Sequence, residues 1–322
     1  MQFGLSEEQT LLLDNVNRFL DDNSPLDRVR AYADGGDDAD IWAGLAELGV
    51  SALLIPEAQG GIGLNPLDAA IVAQSLGAHI TPSPFLGTAV MAPTALMASG
   101  GQYDDLLAEI AAGTHRVGIA FSEAIKRRND AQVEARDGAL FGKSLFAFDA
   151  DADSYLVADQ KQHLYLVAAD DPGLTRTHLT TVDKTRRTVE LTYDNAAAQS
   201  VSTDVRVFES VLDIGRVAIA ADTMGAAQNM LDQAVEYAKQ REQFNRPIGS
   251  FQAVKHMCAE MAAQLEPCRS MVWFAGHALA ELPEEARVTA CHTKAHLAEV
   301  AQFVAKTATE VHGGMGFTDL VG

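Results

Sequence analysis

The chain has 322 residues, of which 48% are apolar, so it is long enough to bury a core and to form two or three subdomains. Its formal net charge of -20, from 44 acidic and 24 basic residues, argues against a protein that binds nucleic acid or an anionic membrane surface. No apolar run approaches the ~20 residues of a membrane span. Residues 1–6 lack the basic and apolar regions of a signal peptide, so we expect a cytoplasmic protein.

The first third of the sequence has helical periodicity. Ser6 and Gln9 have the spacing of a capping box, which predicts the start of the first helix. A second helix, from about Asp40 to Leu48, is predicted to end at Gly49, where a left-handed cap is easiest for glycine. The remaining predicted elements are a glycine-rich surface loop over 55–64, a helix over 66–76, a break at Pro82 and Pro84, and a helical stretch from Phe85 to about Ala112.

Between about residues 114 and 200 the pattern changes to that of short strands. β-branched and aromatic residues cluster in runs that Asp, Gly, Lys and Gln turns separate. These runs cover 117–121, 139–141, 154–157, 163–167 and 188–193. They predict an all-β segment between two helical ones.

From about Thr203 the sequence is helical again. One helix is predicted across 212–235, a second over 251–281 and a third over 283–310, where Pro283 lies in a first turn that tolerates proline. The three cysteines, Cys258, Cys268 and Cys291, are odd in number and have no CxxC spacing. We therefore expect them to pack as small apolar side chains, and we predict no metal site.

Two motifs in the last third are the most informative part of the sequence. They read Arg241-Glu-Gln-Phe-Asn-Arg-Pro-Ile-Gly-Ser-Phe-Gln252 and Val311-His-Gly-Gly-Met-Gly-Phe-Thr318. The first resembles the RxQFGxPIxxFQ signature of the acyl-CoA dehydrogenase family, and the second resembles its QxHGGxGFT segment. Further landmarks occur in the family's order, including the glycine-rich loop over 55–64, Lys143, Asp153 and the DKTRR run over 183–187.

The resemblance covers nearly the whole chain and implies the α+β fold of that family. It divides the sequence into an N-terminal helical domain (1–113), a small middle β-domain (114–200) and a C-terminal helical bundle (201–322). In that family both motifs bind FAD across a subunit interface, so FAD is the implied cofactor. The implied FAD contacts in this chain are Arg241, Gln243, Phe244, Gln252, Glu310, Gly313, Gly314 and Ser122.

Each implied contact has a chemical reason. A guanidinium such as that of Arg241 can pair with a pyrophosphate oxygen, and glycine lets backbone N–H groups approach an anion. The cations Lys239, Arg241 and Arg246 would offset the negative net charge where a pyrophosphate docks. Two positions depart from the family pattern: Asn245 replaces a glycine, and Glu310 replaces a glutamine and would mildly repel a pyrophosphate.

The family's catalytic base has no equivalent in the sequence. Dehydrogenation of a CoA thioester needs a base for the α-proton and a flavin to accept the β-hydride. In one branch the base is a glutamate directly before an arginine, and here Gly215 precedes Arg216. In the other branch it follows the HGGxGFT segment by a few tens of residues, a position beyond this sequence. Asp213 is the remaining candidate, but its place on the helix predicts that it faces elsewhere as a solvated acid.

The family's isoalloxazine loop is also altered. That loop resembles AxTEPxAGSD, whereas this chain has Ala120-Phe-Ser-Glu-Ala-Ile-Lys-Arg-Arg-Asn-Asp130. Ser122 and Glu123 remain, and the proline and the AGSD tail do not. The run Lys126-Arg127-Arg128 in this loop is predicted to be solvated surface, as most basic clusters are.

The resemblance therefore implies a half-site subunit of a heteromeric acyl-CoA dehydrogenase. A longer homologous partner would supply the glutamate and the isoalloxazine loop, in an α2β2 assembly that acts on a bulky CoA thioester such as those of steroid breakdown. Two alternatives stay open. The chain could be a self-sufficient homodimeric flavoprotein with an atypical base, or a cofactor-free scaffold that stabilises a partner.

Overall fold

A computed structural model of the chain describes residues 4–126, 128 and 131–318. The α-helices are α1 (Glu7–Asn23), α2 (Leu26–Ala33), α3 (Ala39–Glu47), α4 (Pro66–Ala78), α5 (Ala92–Met97), α6 (Asp104–Ala111), α7 (Ser122–Ile125), α8 (Val205–Gln240), α9 (Gln252–Glu281) and α10 (Pro283–His312). The strands are β1 (Val117–Ala120), β2 (Val133–Arg136), β3 (Ala139–Phe148), β4 (Ser154–Ala158), β5 (Leu164–Ala168), β6 (Leu174–His178), β7 (Thr188–Ala197), β8 (Gln199–Ser202), β9 (Glu242–Gln243) and β10 (Arg246–Pro247).

The chain divides into two compact units. The first comprises Met1–Leu26, Ala70–Thr81 and Arg216–Gly322, and the second comprises Asp27–Ala69 and Pro82–Gly215. The helical N-terminal region, the central sheet and the C-terminal helical bundle of the predicted fold are all present. The division of the sequence at 113 and 200 stays a prediction.

The first unit is helical. The predicted capping box is confirmed, because the Gln9 N–H donates to Ser6 Oγ at 3.1 Å and the Ser6 N–H donates to Gln9 Oε1 at 3.0 Å. Where α4 packs on α8, a Cβ added to Gly77 would lie 1.9 Å from the carbonyl oxygen of Asp222, which only glycine avoids. Of the cysteines, Cys268 is fully buried, as predicted, whereas Cys258 and Cys291 are half-buried.

The second unit is built around an eight-stranded sheet. Its strands follow the order β6-β7-β3-β1-β4-β5-β8, with β2 paired to β3, and only the β1–β4 pair is parallel among the described ladders. The five predicted runs all form strands. The sequence prediction missed β2, β6 and β8, which are short, and the exposure of β6 beyond Leu174 shows that it carries little apolar pattern.

Strand β4 contacts a separate hydrophobic core on each face of the sheet. Leu156 belongs to a core that includes Ile110 of α6, whereas Tyr155 and Val157 belong to a second core with Val189 of β7. Successive side chains on a strand point to opposite faces, so a strand that is covered on both faces needs a mainly apolar run such as that of β4.

The helical stretch predicted from Phe85 to Ala112 is divided in the structure. A π-helical turn, Leu86–Met91, leads into α5, and α5 is followed by Gly100 and Gly101 before α6 begins. Both glycines have positive φ angles, 73° and 96°, which a continuous helix cannot contain.

Candidate functional site

The first motif forms a β-hairpin directly after α8. Strands β9 and β10 pair antiparallel with Arg246 opposite Gln243, and the turn between them consists of Phe244 and Asn245. Both turn residues have positive φ angles, 54° and 59°, which is the geometry of a two-residue type I′ turn. Asparagine tolerates this conformation well, so the replacement of the family's glycine by Asn245 preserves the turn, whereas the bulky Phe244 adopts it at a cost.

The hairpin presents its side chains to solvent. Phe244 is 87% exposed, and its ring meets the ring of Phe251 edge-on at 6.1 Å. The guanidinium of Arg246 lies over the Phe251 ring at 4.1 Å. The hairpin tip is therefore braced from beneath by Phe251 while its outer aromatic ring stays uncovered.

The polar residues predicted from the first motif are exposed as well. Arg241, Gln243 and Gln252 are all exposed, and Arg241 has no ion pair within the described part of the chain. The Arg241 carbonyl accepts a hydrogen bond from the Ile248 N–H at 2.8 Å, which holds the start and end of the hairpin together. A guanidinium that extends into solvent from a hairpin base is suited to pair with an external anion.

The second motif lies at the end of α10. Gly313 ends the helix with φ 60° and ψ -135°, a conformation that favours glycine. A Cβ added to Gly313 or Gly314 would meet no atom within 4 Å, so the backbone there is open to close approach. Glu310, one turn earlier, is exposed.

The two motifs are brought together by a pair of aromatic rings. Tyr237, one turn before Arg241 on α8, lies 4.6 Å from the ring of His312, the residue before Gly313. His312 is buried, and its Nδ1 is 2.8 Å from the carbonyl oxygen of Ala308. Tyr237 is not among the residues predicted from the sequence, although an aromatic residue one helical turn before the motif's arginine was an available signal. The contact between Tyr237 and His312 therefore holds the hairpin near the glycine segment.

The predicted position of the base is closed by packing. An added Cβ at Gly215 would lie 2.9 Å from the sulfur atom of Met91 and 3.1 Å from its methyl carbon. Met91, at the end of the π-helical turn, is 5% exposed. A glutamate at position 215 would need Met91 to move.

The expectation that Asp213 is a solvated acid is wrong. Asp213 is 5% exposed, and its neighbours Ile214 and Gly215 are also buried. Three consecutive buried positions mean that this turn of α8 is covered on more than one side. The helical geometry that separates Asp213 from Gly215 therefore does not lead Asp213 to solvent.

In the altered isoalloxazine loop, the carboxylate of Glu123 contacts other residues of this chain. Glu123 is buried, accepts a hydrogen bond from Ser122 Oγ at 2.6 Å and another from the Leu145 N–H at 3.1 Å, and pairs with Arg128 at 3.4 Å. Arg128 is thus an ion-pair partner that also lies over the Phe146 ring, not solvated surface. Lys126 is exposed as predicted, whereas Arg127, Asn129 and Asp130 lie outside the described residues. Ser122 stays a predicted flavin contact.

Over residues 4–126, 128 and 131–318, no helix has both the length and the apolar character that spanning a membrane requires. In the same residues, no group of three or more His, Cys, Asp or Glu side chains could hold a metal ion.

Comparison with known proteins identifies relatives along the whole chain. The family model for the acyl-CoA dehydrogenase N-terminal domain matches residues 6–114, and that for the C-terminal domain matches residues 205–321. The chain is 33% identical to the acyl-CoA dehydrogenase IpdE2 of Mycobacterium tuberculosis, across 97% of this chain and 87% of that relative.

Solved structures give the same result. The chain resembles the Tcur3481-Tcur3483 steroid ACAD, solved as a G363A variant, with a TM-score of 0.88 and 28% identity over 97% of this chain and 88% of that one. It resembles the ChsE4-ChsE5 complex from Mycobacterium tuberculosis with a TM-score of 0.88 and 26% identity, over 99% of this chain and 90% of that one. The chain belongs to the acyl-CoA dehydrogenase family of flavoprotein oxidoreductases.

Proposed function

We propose that the chain is a subunit of an FAD-dependent acyl-CoA dehydrogenase and contributes half of a flavin site across a subunit interface. A homologous, longer partner chain supplies the catalytic glutamate, and the assembly catalyses α,β-dehydrogenation of a CoA thioester. The chain is therefore active as part of a heteromer.

The contrast between the hairpin and position 215 carries this proposal. The one family base position that this sequence contains is a glycine with Met91 packed against it, so no carboxylate acts from there. The hairpin, in contrast, keeps Arg241, Phe244 and Gln252 exposed. A chain that had lost all cofactor binding would have no reason to hold a phenylalanine exposed on a left-handed backbone.

The residues of the two motifs fit FAD by their chemistry. Arg241 is a guanidinium suited to a pyrophosphate oxygen, and Phe244 is an exposed ring suited to pack on the flavin or the adenine. Gln243 and Gln252 can hydrogen-bond, and the open backbone at Gly313 and Gly314 allows close approach of an anion. FAD, when bound, supplies the hydride acceptor of the reaction. Glu310 would sit near the pyrophosphate and weaken its binding slightly.

The names of two similar solved structures support the proposal of a partner chain and of a class of substrate. Two of the similar solved structures carry two chain names each, ChsE4-ChsE5 and Tcur3481-Tcur3483, and the second is described as a steroid ACAD. By analogy, we assign this chain an α2β2 assembly and a bulky, steroid-derived CoA thioester as substrate.

FAD content tests the proposal. The chain is purified alone and, in parallel, co-expressed with a longer acyl-CoA dehydrogenase homologue from the same organism, and FAD is quantified by its visible spectrum after release. We expect little FAD in the chain alone and about one FAD per heterodimer in the complex, because each site then has both halves. A homodimer of this chain that carries stoichiometric FAD would overturn the half-site model.

A further inference from the structure

Two histidines lie on one face of α10. His292 and His296 are four residues apart, and residues at that spacing are neighbours on a helix surface, with Cβ atoms about 5 to 6 Å apart. Both residues are exposed. With Met271, Ala295 and Glu299 they line a surface depression of about 430 Å³. No other two of the nine histidines in the sequence are this close together.

The ring nitrogens of this pair have no partner within the part of the chain that the structure describes. Neither His292 nor His296 forms a hydrogen bond or an ion pair there. His79 differs, because its Nδ1 lies 2.8 Å from the carbonyl oxygen of Ser75 and its Nε2 lies 3.0 Å from Asp21. A neutral imidazole has one nitrogen with a lone pair, so each ring of the pair can offer that nitrogen to an external ligand.

Two imidazoles at this spacing can bind a metal ion. Histidines at i and i+4 bind zinc from one face of a helix in a common metalloprotease motif. Imidazole suits zinc, nickel and copper, whereas magnesium and calcium prefer oxygen ligands. Glu299 does not complete a group of three ligands with the two histidines of the described chain. Water therefore has to fill the other positions, and the depression of about 430 Å³ has room for several molecules of about 30 Å³ each.

The charges around the pair favour a cation. The formal net charge of -20 raises the concentration of cations near the surface of the chain. Glu299 is exposed and has no ion pair among the described residues, so no partner offsets its charge. Lys294 lies two residues after His292, about 200° around the helix, so its ammonium group belongs to another face.

We propose that His292 and His296 bind one divalent transition-metal ion of the class that imidazole prefers, such as Ni²⁺ or Zn²⁺. The two rings supply two coordination positions, and the ion links two successive turns of α10. This proposal revises the sequence-based prediction of no metal site, which rested on the cysteines. About 25 Å of helix, at about 1.5 Å per residue, separates His296 from Gly313. The site is therefore separate from the proposed flavin contacts.

Calorimetric titration of the full-length chain with NiCl₂ tests the site. The protein is purified without a histidine tag, and we expect it to bind one Ni²⁺ per chain. His292→Gln and His296→Gln should each weaken binding about ten-fold or more, because losing even a residue that only orients a metal ligand costs about 10- to 100-fold. MgCl₂ should give no binding at this site, since it offers no charged oxygen ligand from the pair.

A rearranged pair provides the matched control. Lys294→His combined with His296→Gln keeps the number of histidines but places them two residues apart, on different faces of α10. This chain should bind Ni²⁺ as weakly as His296→Gln does. His178→Gln, which removes an exposed histidine of β6, should leave the affinity unchanged.

Three results would overturn the proposal. The first is the absence of Ni²⁺ binding by the unaltered chain. The second is unchanged affinity in the rearranged pair, since the number of histidines and not their spacing would then decide binding. The third is a loss in His178→Gln equal to that in His292→Gln, which would mean that Ni²⁺ binds any exposed histidine.

Discussion

The hairpin that follows α8 and the turn of α8 around Gly215 have opposite characters. The hairpin is exposed, holds two residues at positive φ and is braced by Phe251. The Gly215 turn is buried and packed against Met91. Proteins keep strained, exposed residues where another molecule uses them, and they let unused sites fill with apolar side chains. This difference is the basis for the proposal that the chain contributes one half of a flavin site.

The largest expected effect separates the two chains of the complex. Replacing the partner's catalytic glutamate by glutamine should lower turnover by about 10²- to 10⁴-fold, the usual cost of losing a positioned general base. Asp213→Asn and Glu209→Gln in this chain should leave turnover within a few-fold. Steady-state rates of the co-purified complex provide the measurement.

Asp213 needs the conservative change because it is buried. Circular dichroism and FAD content should confirm that Asp213→Asn leaves the complex assembled. A collapse in rate with normal FAD content for Asp213→Asn would show that this chain carries the base, and the half-site model would then fail.

The next effect concerns the proposed anion-binding residue at the base of the hairpin, Arg241. A charge-assisted hydrogen bond to a phosphate is worth about 1.5 to 3 kcal/mol, so Arg241→Ala should weaken FAD retention by the complex about ten-fold or more. The measurement is the FAD dissociation constant, from fluorescence recovered on release.

Lys239 offers a matched control for Arg241. It is a nearby exposed cation that already pairs with Glu236. Lys239→Ala should change FAD affinity little, because a screened surface charge contributes little. Equal losses in both variants would mean that only the overall charge matters, and Arg241 would not be a specific contact.

A moderate effect is expected where Met91 meets Gly215. Gly215→Glu should destabilise the chain by about 1 to 3 kcal/mol, the typical cost of overpacking a core. Met91→Ala combined with Gly215→Glu should recover part of that loss, because the side chain that the new Cβ meets is gone. Urea unfolding of the four chains of this double-mutant cycle measures the coupling. Purely additive effects would show that Met91 does not close this position.

The smallest effect tests the turn of the hairpin. Asn245→Ala should destabilise the chain by about 1 kcal/mol, since alanine adopts a left-handed backbone less readily than asparagine. Asn245→Gly, which restores the family residue, should be neutral within a few tenths of a kcal/mol. Urea unfolding distinguishes the two. Equal stability of both variants would indicate that the turn does not keep its positive φ angles in solution.

Local patterns in the sequence were sufficient for many elements. The capping box at Ser6, the stop at Gly49 and the first-turn Pro283 each act within one helical turn, so the predicted elements form where they were expected. The motif residues are also local, because the hairpin is a contiguous segment. The strands that were missed, such as β6 with four exposed residues of five, lie where neighbouring strands and not the pattern select the conformation.

The sequence by itself determined the family and the order of its helical and β-rich segments, and it predicted which residues contact a cofactor, because these depend on short-range periodicity and contiguous motifs. Only the tertiary structure decided which side chains are covered. It buried Asp213, placed Met91 against Gly215, directed Glu123 to Arg128, and joined the two motifs through Tyr237 and His312. Each of these facts is a contact made by packing. Burial and the loss of water at a site depend on residues far away in the chain, which no local pattern specifies.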